Sequence, residues 1–183
     1  MIVTSSMHTA IATIFDGSEL YTCALPLWCQ QATHLAALMG NSTVVVVTRN
    51  ASADCPTAQM RWGSAASRAM RAAMMYLRRH EVLGGWRKLG WAVLLKISVM
   101  ALTDFDLILF ADLDVDVRPG SFSIAEWRSS TRSFLQSRAE FVGTSDHESP
   151  VNTGLWLAKP STSAFHEGLA LLRTTWTAAR GVL

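Results

Sequence analysis

One stretch constrains the fold more than any other: the apolar run Leu107–Ala111, followed by three aspartates at alternate positions. Five apolar residues in a row are typical of a strand buried on both faces of a parallel sheet. In an extended backbone, alternate side chains point to the same side. We therefore expect Asp112, Asp114 and Asp116 to converge and to require a cation such as Mg²⁺ or Mn²⁺.

The position of these carboxylates supports a ligand site, because α/β proteins bind ligands at the carboxyl ends of parallel strands. A strand that runs into an acidic, solvated turn is the alternative. Charge placed so close to a buried strand is costly unless it is paired or used in binding. Both interpretations stay open at this point.

Composition excludes several classes of protein. A chain of 183 residues can bury the core of one domain, and we predict a single domain over 1–183. Half the residues are apolar and 16% are charged, which indicates a globular chain and not a disordered one. A net charge of +2 without a basic block gives no reason to expect a nucleic-acid partner. The longest apolar stretch, near 91–102, is interrupted by Lys96, so we expect no transmembrane segment.

The compartment stays open between cytoplasm and Golgi lumen. The N-terminus lacks the basic-then-apolar order of a signal peptide. Cys23, Cys29 and Cys55 form no Cys-x-x-Cys pattern, and three cysteines fit either a reducing compartment or one disulfide with a spare thiol. The triplets that begin at Asn41 and Asn50 match the N-glycosylation acceptor pattern, which also occurs often by chance.

Strand and helix patterns alternate along the chain, which predicts an α/β fold with a mainly parallel sheet. Predicted strands cover 10–15, 44–47, 107–111, 141–144 and 155–158. Predicted helices cover 19–39, 58–80, 86–102, 123–137 and a last segment from 160–161 to about Trp176. In the first of them we expect a kink or a late start at Pro26. The fourth begins with a capping box from Ser123 to Glu126. We expect a turn over 150–154.

Lys96 lies among the apolar residues of the predicted helix 86–102. A buried lysine needs a partner. It therefore either extends to the surface or points toward the acidic end of the central strand.

Two stretches together resemble the glycogenin-like (family 8) nucleotide-sugar glycosyltransferases. The first covers 96–114: a helix with a lysine, the strand Leu107–Ala111 and then Asp112-Leu113-Asp114. The second covers 151–161, Val-Asn-Thr-Gly-Leu-Trp-Leu-Ala-Lys-Pro-Ser, and is similar to the family's Asn-x-Gly strand and following Lys-Pro. The order and spacing of the two agree with the family, and Tyr21 resembles its N-terminal tyrosine.

The resemblance implies a Rossmann-like GT-A fold and retaining transfer of a hexose or pentose from a nucleotide diphosphate sugar, expected to be a UDP-sugar. It implies Mn²⁺ or Mg²⁺ held by Asp112 and Asp114, where the cation would stabilise charge on the diphosphate leaving group. Asp116 has no required counterpart. The resemblance also implies that Asn152 and Asp146 contact the sugar, and these two are the catalytic candidates. It implies that Lys96 binds the donor phosphate or the sugar and that Leu113 contacts the nucleotide. Tyr21 and Thr13 would lie near the base.

The chain also departs from the family. The later Asp-Gln pair and the His-x-x-Gly-x-x-Lys-Pro-Trp segment, which supply a metal ligand and a diphosphate contact, have no match before Leu183. We interpret His166 as a surface histidine in a helix. The expectation is a chain with its C-terminal part missing, or a divergent homologue, that binds its donor weakly.

Two other functions remain open. A haloacid-dehalogenase-type phosphatase also has Asp-x-Asp after an apolar strand, but it needs a later acidic motif that this chain does not offer. A non-catalytic homologue would bind a nucleotide sugar or a partner without turnover. The residues do not specify whether the acceptor is a glycan, a protein or a lipid.

Overall fold

The computed structural model describes residues 7–15, 17, 19–48, 54–61, 75, 96–116, 123–145 and 152–178. The chain divides into two compact units. Unit 1 comprises Met1–Arg61 and Asp104–Lys159, and unit 2 comprises Trp62–Thr103 and Pro160–Leu183. The prediction of one domain over 1–183 stays a prediction.

Within its described residues, unit 1 contains a six-stranded sheet. Its strands are β1 Thr9–Phe15, β2 Ser42–Thr48, β3 Gln59–Arg61, β4 Leu107–Ala111, β5 Phe141–Thr144 and β6 Asn152–Ala158. Its helices are α1 Glu19–Thr22, α2 Ala24–Met39 and α3 Ile124–Gln136, while unit 2 contains a 3₁₀-helix Ile97–Ala101 and α4 Thr162–Ala178. No helix among the described residues has the length and apolar character needed to cross a membrane.

The strand order is β3-β2-β1-β4-β6-β5. Strands β1 to β4 are parallel, and β6 is antiparallel to both of its neighbours, β4 and β5. Strand β5 therefore runs in the same direction as β4. This mixed α/β sheet, parallel at its core, confirms the predicted α/β class and the mainly parallel sheet. The carboxyl ends of β1 to β5 and the amino end of β6 lie together, and we call this side of the sheet the carboxyl edge.

One face of the sheet is covered by α2. The helix buries residues at the three- and four-residue spacing of one helical face. These are Leu25, Trp28, Cys29, Ala32, Leu35, Ala36 and Met39. They form an apolar cluster with Ile11 and Phe15 of β1 and Val44 and Val46 of β2. In β2 the four consecutive valines, residues 44–47, are all buried, so both faces of this strand are covered. This explains the continuous apolar run in the sequence.

The predicted helix 19–39 is divided into α1 and α2. The predicted interruption of the helix is present, but it falls at Cys23 and not at Pro26, and the long helix starts at Ala24. Pro26 lies in the first turn of α2, where a missing N–H removes no helical hydrogen bond. The predicted end of the helix is confirmed: Gly40 has φ of 90° and donates its N–H to the carbonyl of Ala36.

Two sequence predictions are wrong because pairing in the sheet overrides local pattern. The segment Gln59–Arg61, predicted to begin a helix at Ala58, is strand β3 and pairs with β2. The predicted turn over 150–154 is strand from Asn152 onward, because Asn152 pairs with Thr144 of β5. The rest of the predicted helix 58–80, apart from residue 75, and most of 86–102 lie outside the described residues.

The predicted helices near the C-terminus are confirmed. Helix α3 begins after Ser123, whose Oγ accepts a hydrogen bond from the Glu126 N–H at 3.3 Å. In unit 2, α4 packs closely on the 3₁₀-helix, since a Cβ added at Gly168 would lie 3.1 Å from Ile97 Cδ1.

A disulfide joins Cys29 of α2 to Cys55, which precedes β3. Both residues are 4% exposed, and their Cα atoms are 5.8 Å apart, a normal disulfide separation. Cys23 is an exposed free thiol. Of the two alternatives left open by the cysteine count, the structure has one disulfide and a spare thiol.

Candidate functional site

The three aspartates after β4 do not continue the strand. Strand β4 ends at Ala111, and the chain then turns, with the N–H of Val115 donating to the carbonyl of Asp112 at 3.0 Å. Alternation of side chains holds only in an extended backbone. The expectation that Asp112, Asp114 and Asp116 converge through that alternation is therefore wrong.

Asp116 is directed toward α2. Its Oδ1 accepts a hydrogen bond from Gln31 Nε2 at 3.0 Å. Asp112 is half-buried at the end of β4, whereas Asp114 is exposed. Among the described residues, no three His, Cys, Asp or Glu side chains form a group that could hold a metal ion. Asp112 and Asp114 thus remain a pair of candidate ligands on one turn.

The same turn contacts the start of β6. The N–H of Asp112 donates to the carbonyl of Gly154 at 2.7 Å, which extends the β4–β6 pairing by one bond beyond Ala111 and Leu155. Because β6 is antiparallel, its first residue, Asn152, lies at the carboxyl edge. The fold therefore brings the Asp-x-Asp turn and the Asn-Thr-Gly segment, distant in sequence, to one place.

The predicted base contacts lie on the β1 side of this edge. Thr13 is fully buried in β1, and its Oγ1 has no hydrogen-bond partner in the part of the chain that the structure describes. Tyr21 of α1 packs, partly buried, against the apolar cluster of α2. Leu113 and Val115 pack against the same cluster. Packing on one cluster thus anchors α1 and the Asp-x-Asp turn.

Two predicted contacts are not tested by the described geometry of this edge. Lys96 belongs to unit 2, where it is half-buried and directly precedes the 3₁₀-helix. Asp146 lies outside the described residues. Their roles stay predictions. His166 is exposed on α4, which confirms the interpretation as a surface histidine.

Sequence reasoning missed Gln31, the partner of Asp116. The two residues are 85 positions apart, and Gln31 has no pattern around it that indicates a partner. It also missed the Asp112–Gly154 bond, although the Gly154 position within the Asn-Thr-Gly motif was a signal for close backbone approach.

No family model matches the chain, and no curated protein matches it. Among solved structures, the chain is similar to a glycosyltransferase involved in the glycosylation of the major capsid of PBCV-1. The TM-score is 0.38 and the identity 12%, over 96% of this chain and 68% of that chain. At these values the likeness establishes neither the activity nor membership of the glycogenin-like family.

Proposed function

We propose that the chain is a glycosyltransferase domain of GT-A type that binds a nucleotide diphosphate sugar at the carboxyl edge. The supporting observation is the hydrogen bond from the Asp112 N–H to the Gly154 carbonyl at 2.7 Å. It joins the acidic turn to the beginning of β6. A donor that spans this junction would meet carboxylates on one side and Asn152 on the other.

The residues of the turn fit a divalent cation. Carboxylate oxygens are the ligands that Mg²⁺ and Mn²⁺ prefer. Gln31 engages Asp116, and we assign the ion to the other two carboxylates of the turn, Asp112 and Asp114. Asp114 is exposed, so its carboxylate is accessible to a metal–diphosphate complex. Phosphate oxygens of the donor and water would complete the coordination. Such a cation, when bound, supplies Lewis-acid stabilisation of the leaving diphosphate.

The side chains of the chain itself would hold the donor. Asn152 would hydrogen-bond the sugar, with Asp146 as a second sugar contact. The side chain of Leu113 packs into the apolar cluster, so any contact with the nucleotide would be made by its backbone. Tyr21 would border the base, and Lys96 would bind the phosphate or the sugar. The side chain of Thr13 is fully buried in β1, so Thr13 would support this side of the site without direct contact with the base. The UDP-sugar donor and the retaining course rest on the family resemblance.

The first prediction tests the metal bridge. Replacing Asp114 by asparagine keeps the shape of the side chain and removes one negative charge. We expect the affinity for UDP in the presence of Mn²⁺ to fall at least about tenfold, or about 1.4 kcal/mol. Isothermal calorimetry with and without a chelator measures this directly.

Lys96→Ala should weaken binding of the nucleotide sugar and leave metal binding intact.

Asp116→Asn is the matched control, because it makes the same chemical change in the same loop at a carboxylate that Gln31 engages. It should change UDP affinity much less. UDP binding that ignores the chelator, or equal affinity in the Asp114→Asn variant and the parent, would refute the metal bridge. Hydrolysis assays with UDP-glucose, UDP-galactose and UDP-xylose then separate an enzyme from a binding protein: binding without hydrolysis indicates the non-catalytic homologue.

A further inference from the structure

The sheet has an acceptor triplet for N-glycosylation at the end opposite the carboxyl edge. Asn41-Ser42-Thr43 matches the Asn-x-Ser/Thr pattern, with serine in the middle position, where proline is not allowed. Asn41 lies in the bend between α2 and β2, and it is exposed. A bulky, hydrophilic glycan is accommodated on such a surface turn.

An independent observation concerns the compartment. The disulfide between Cys29 and Cys55 is buried within unit 1. Disulfides form and persist in oxidising compartments and are rare in the reducing cytosol. In eukaryotic cells, the compartment that forms disulfides in secreted proteins also attaches N-glycans. The disulfide therefore indicates that the chain folds in a compartment where the triplet at Asn41 can be glycosylated, which the pattern alone does not indicate.

We propose that Asn41 is a site of N-glycosylation. In the transfer, the side-chain Nδ2 of Asn41 forms a bond to the anomeric carbon of a lipid-diphosphate-linked oligosaccharide. The bond from that carbon to the diphosphate oxygen breaks, and the lipid diphosphate leaves with the electron pair. The amide proton passes to a base of the host oligosaccharyltransferase. No oxidant or reductant takes part.

The fold also indicates when the transfer occurs. In the folded chain, Thr43 Oγ1 lies 3.0 Å from His8 Nε2, in hydrogen-bond contact. Asn41 itself is held to β1, because its carbonyl accepts the N–H of Thr9 at 3.1 Å. These contacts hold the backbone of Asn41 and the hydroxyl of Thr43 in the folded sheet, where the oligosaccharyltransferase cannot bind the triplet. The glycan is therefore added while the chain is still unfolded, before β1 and β2 pair.

The position of Asn41 leaves the candidate site accessible. Asn41 precedes the first residue of β2, whereas the candidate site lies at the carboxyl edge. Seven residues of strand separate the two ends, or about 20 Å at roughly 3.3 Å per residue. A glycan at Asn41 is therefore attached at the amino end of the sheet, at about this distance from the candidate site.

The test expresses the full chain with an added secretory leader in yeast or insect cells. Peptide mass spectrometry after peptide-N-glycosidase treatment should show Asn41 converted to aspartate in a product that contains the Cys29–Cys55 disulfide. The wild-type band should shift on glycosidase treatment. The shift assigned to Asn41 should be lost in Asn41→Gln and in Thr43→Ala, and kept in Thr43→Ser, which preserves both the acceptor pattern and a hydroxyl for His8.

Asn50→Gln is the second control, because the triplet at Asn50 also matches the pattern. This variant should keep the Asn41 conversion. An unmodified Asn41 in a disulfide-bonded product, or conversion at Asn50 alone, would overturn the proposal. The wild-type peptide map decides the outcome even if a variant fails to fold.

Discussion

Replacing Phe110 by alanine is expected to lower the free energy of unfolding by about 3–5 kcal/mol, the range for removing a buried aromatic side chain. Phe110, the fourth of the five residues of β4, is 0% exposed. Its ring stacks on Trp156 of β6, with centroids 4.7 Å apart and planes 15° apart. The variant loses the transfer free energy of a whole ring, leaves a cavity and removes one side-chain contact between β4 and β6. Urea unfolding followed by tryptophan fluorescence measures the change.

Phe141→Ala is the matched control for Phe110→Ala. It removes the same type of side chain from the other neighbour of β6, and its ring also contacts Trp156, at 5.5 Å. Phe141 is 42% exposed, so less apolar surface returns to water and the expected loss is about 1 kcal/mol. Equal losses in the two variants would show that Phe110 is not part of a close-packed core.

The second large effect is expected from loss of the disulfide. Changing Cys29 and Cys55 together to alanine should cost about 3 kcal/mol, because the crosslink joins residues 26 positions apart and restricts the unfolded chain. Reduction of the wild type by dithiothreitol should have a similar effect. The measurement compares urea midpoints with and without reductant for the wild type and the double variant.

Cys23→Ala is the control for the disulfide, since Cys23 is an exposed free thiol. Its midpoint should match that of the wild type, and reductant should lower both. The double variant should not respond to reductant. If full reduction, verified by thiol labelling, leaves the wild-type midpoint unchanged, the disulfide contributes nothing to stability.

Local pattern predicted the elements that are buried on both faces. Strands β1, β2 and β4 are rich in buried apolar residues, with threonine as the buried polar residue in β1 and β2, and their positions followed from the sequence because such runs are typical of strands inside a sheet. The cap at Ser123 and the helix end at Gly40 were also predictable, because each depends on the chemistry of one or two neighbouring residues.

Elements that depend on distant partners were not predictable. The residues Gln59–Arg61 have a helix-like composition but form β3, because their backbone pairs with the edge of β2. Asn152 and Gly154 look like turn residues, yet they begin β6 between two strands. Pairing energy from another part of the sheet outweighs local preference in both cases.

The candidate site was predicted in composition but not in geometry. The sequence predicted Asp112, Asp114 and Asn152 as ligand contacts, which stays a prediction, and the fold brings their segments to the carboxyl edge. The assumption of an extended backbone failed because β4 ends at Ala111. Gln31 could not be recognised as the partner of Asp116, because the contact depends on how α2 crosses the sheet.

The insertion of β6 between β4 and β5 has a consequence for biosynthesis. Strands β1 to β4 are all complete once Ala111 has left the ribosome, but β4 gains its second neighbour only when Ala158 has emerged. Until then, a nascent chain exposes one edge of a strand whose residues include the fully buried Ile108 and Phe110. An unpaired apolar edge is a template for aggregation. Co-translational protection by a chaperone is therefore most needed while residues 112–158 are being synthesised.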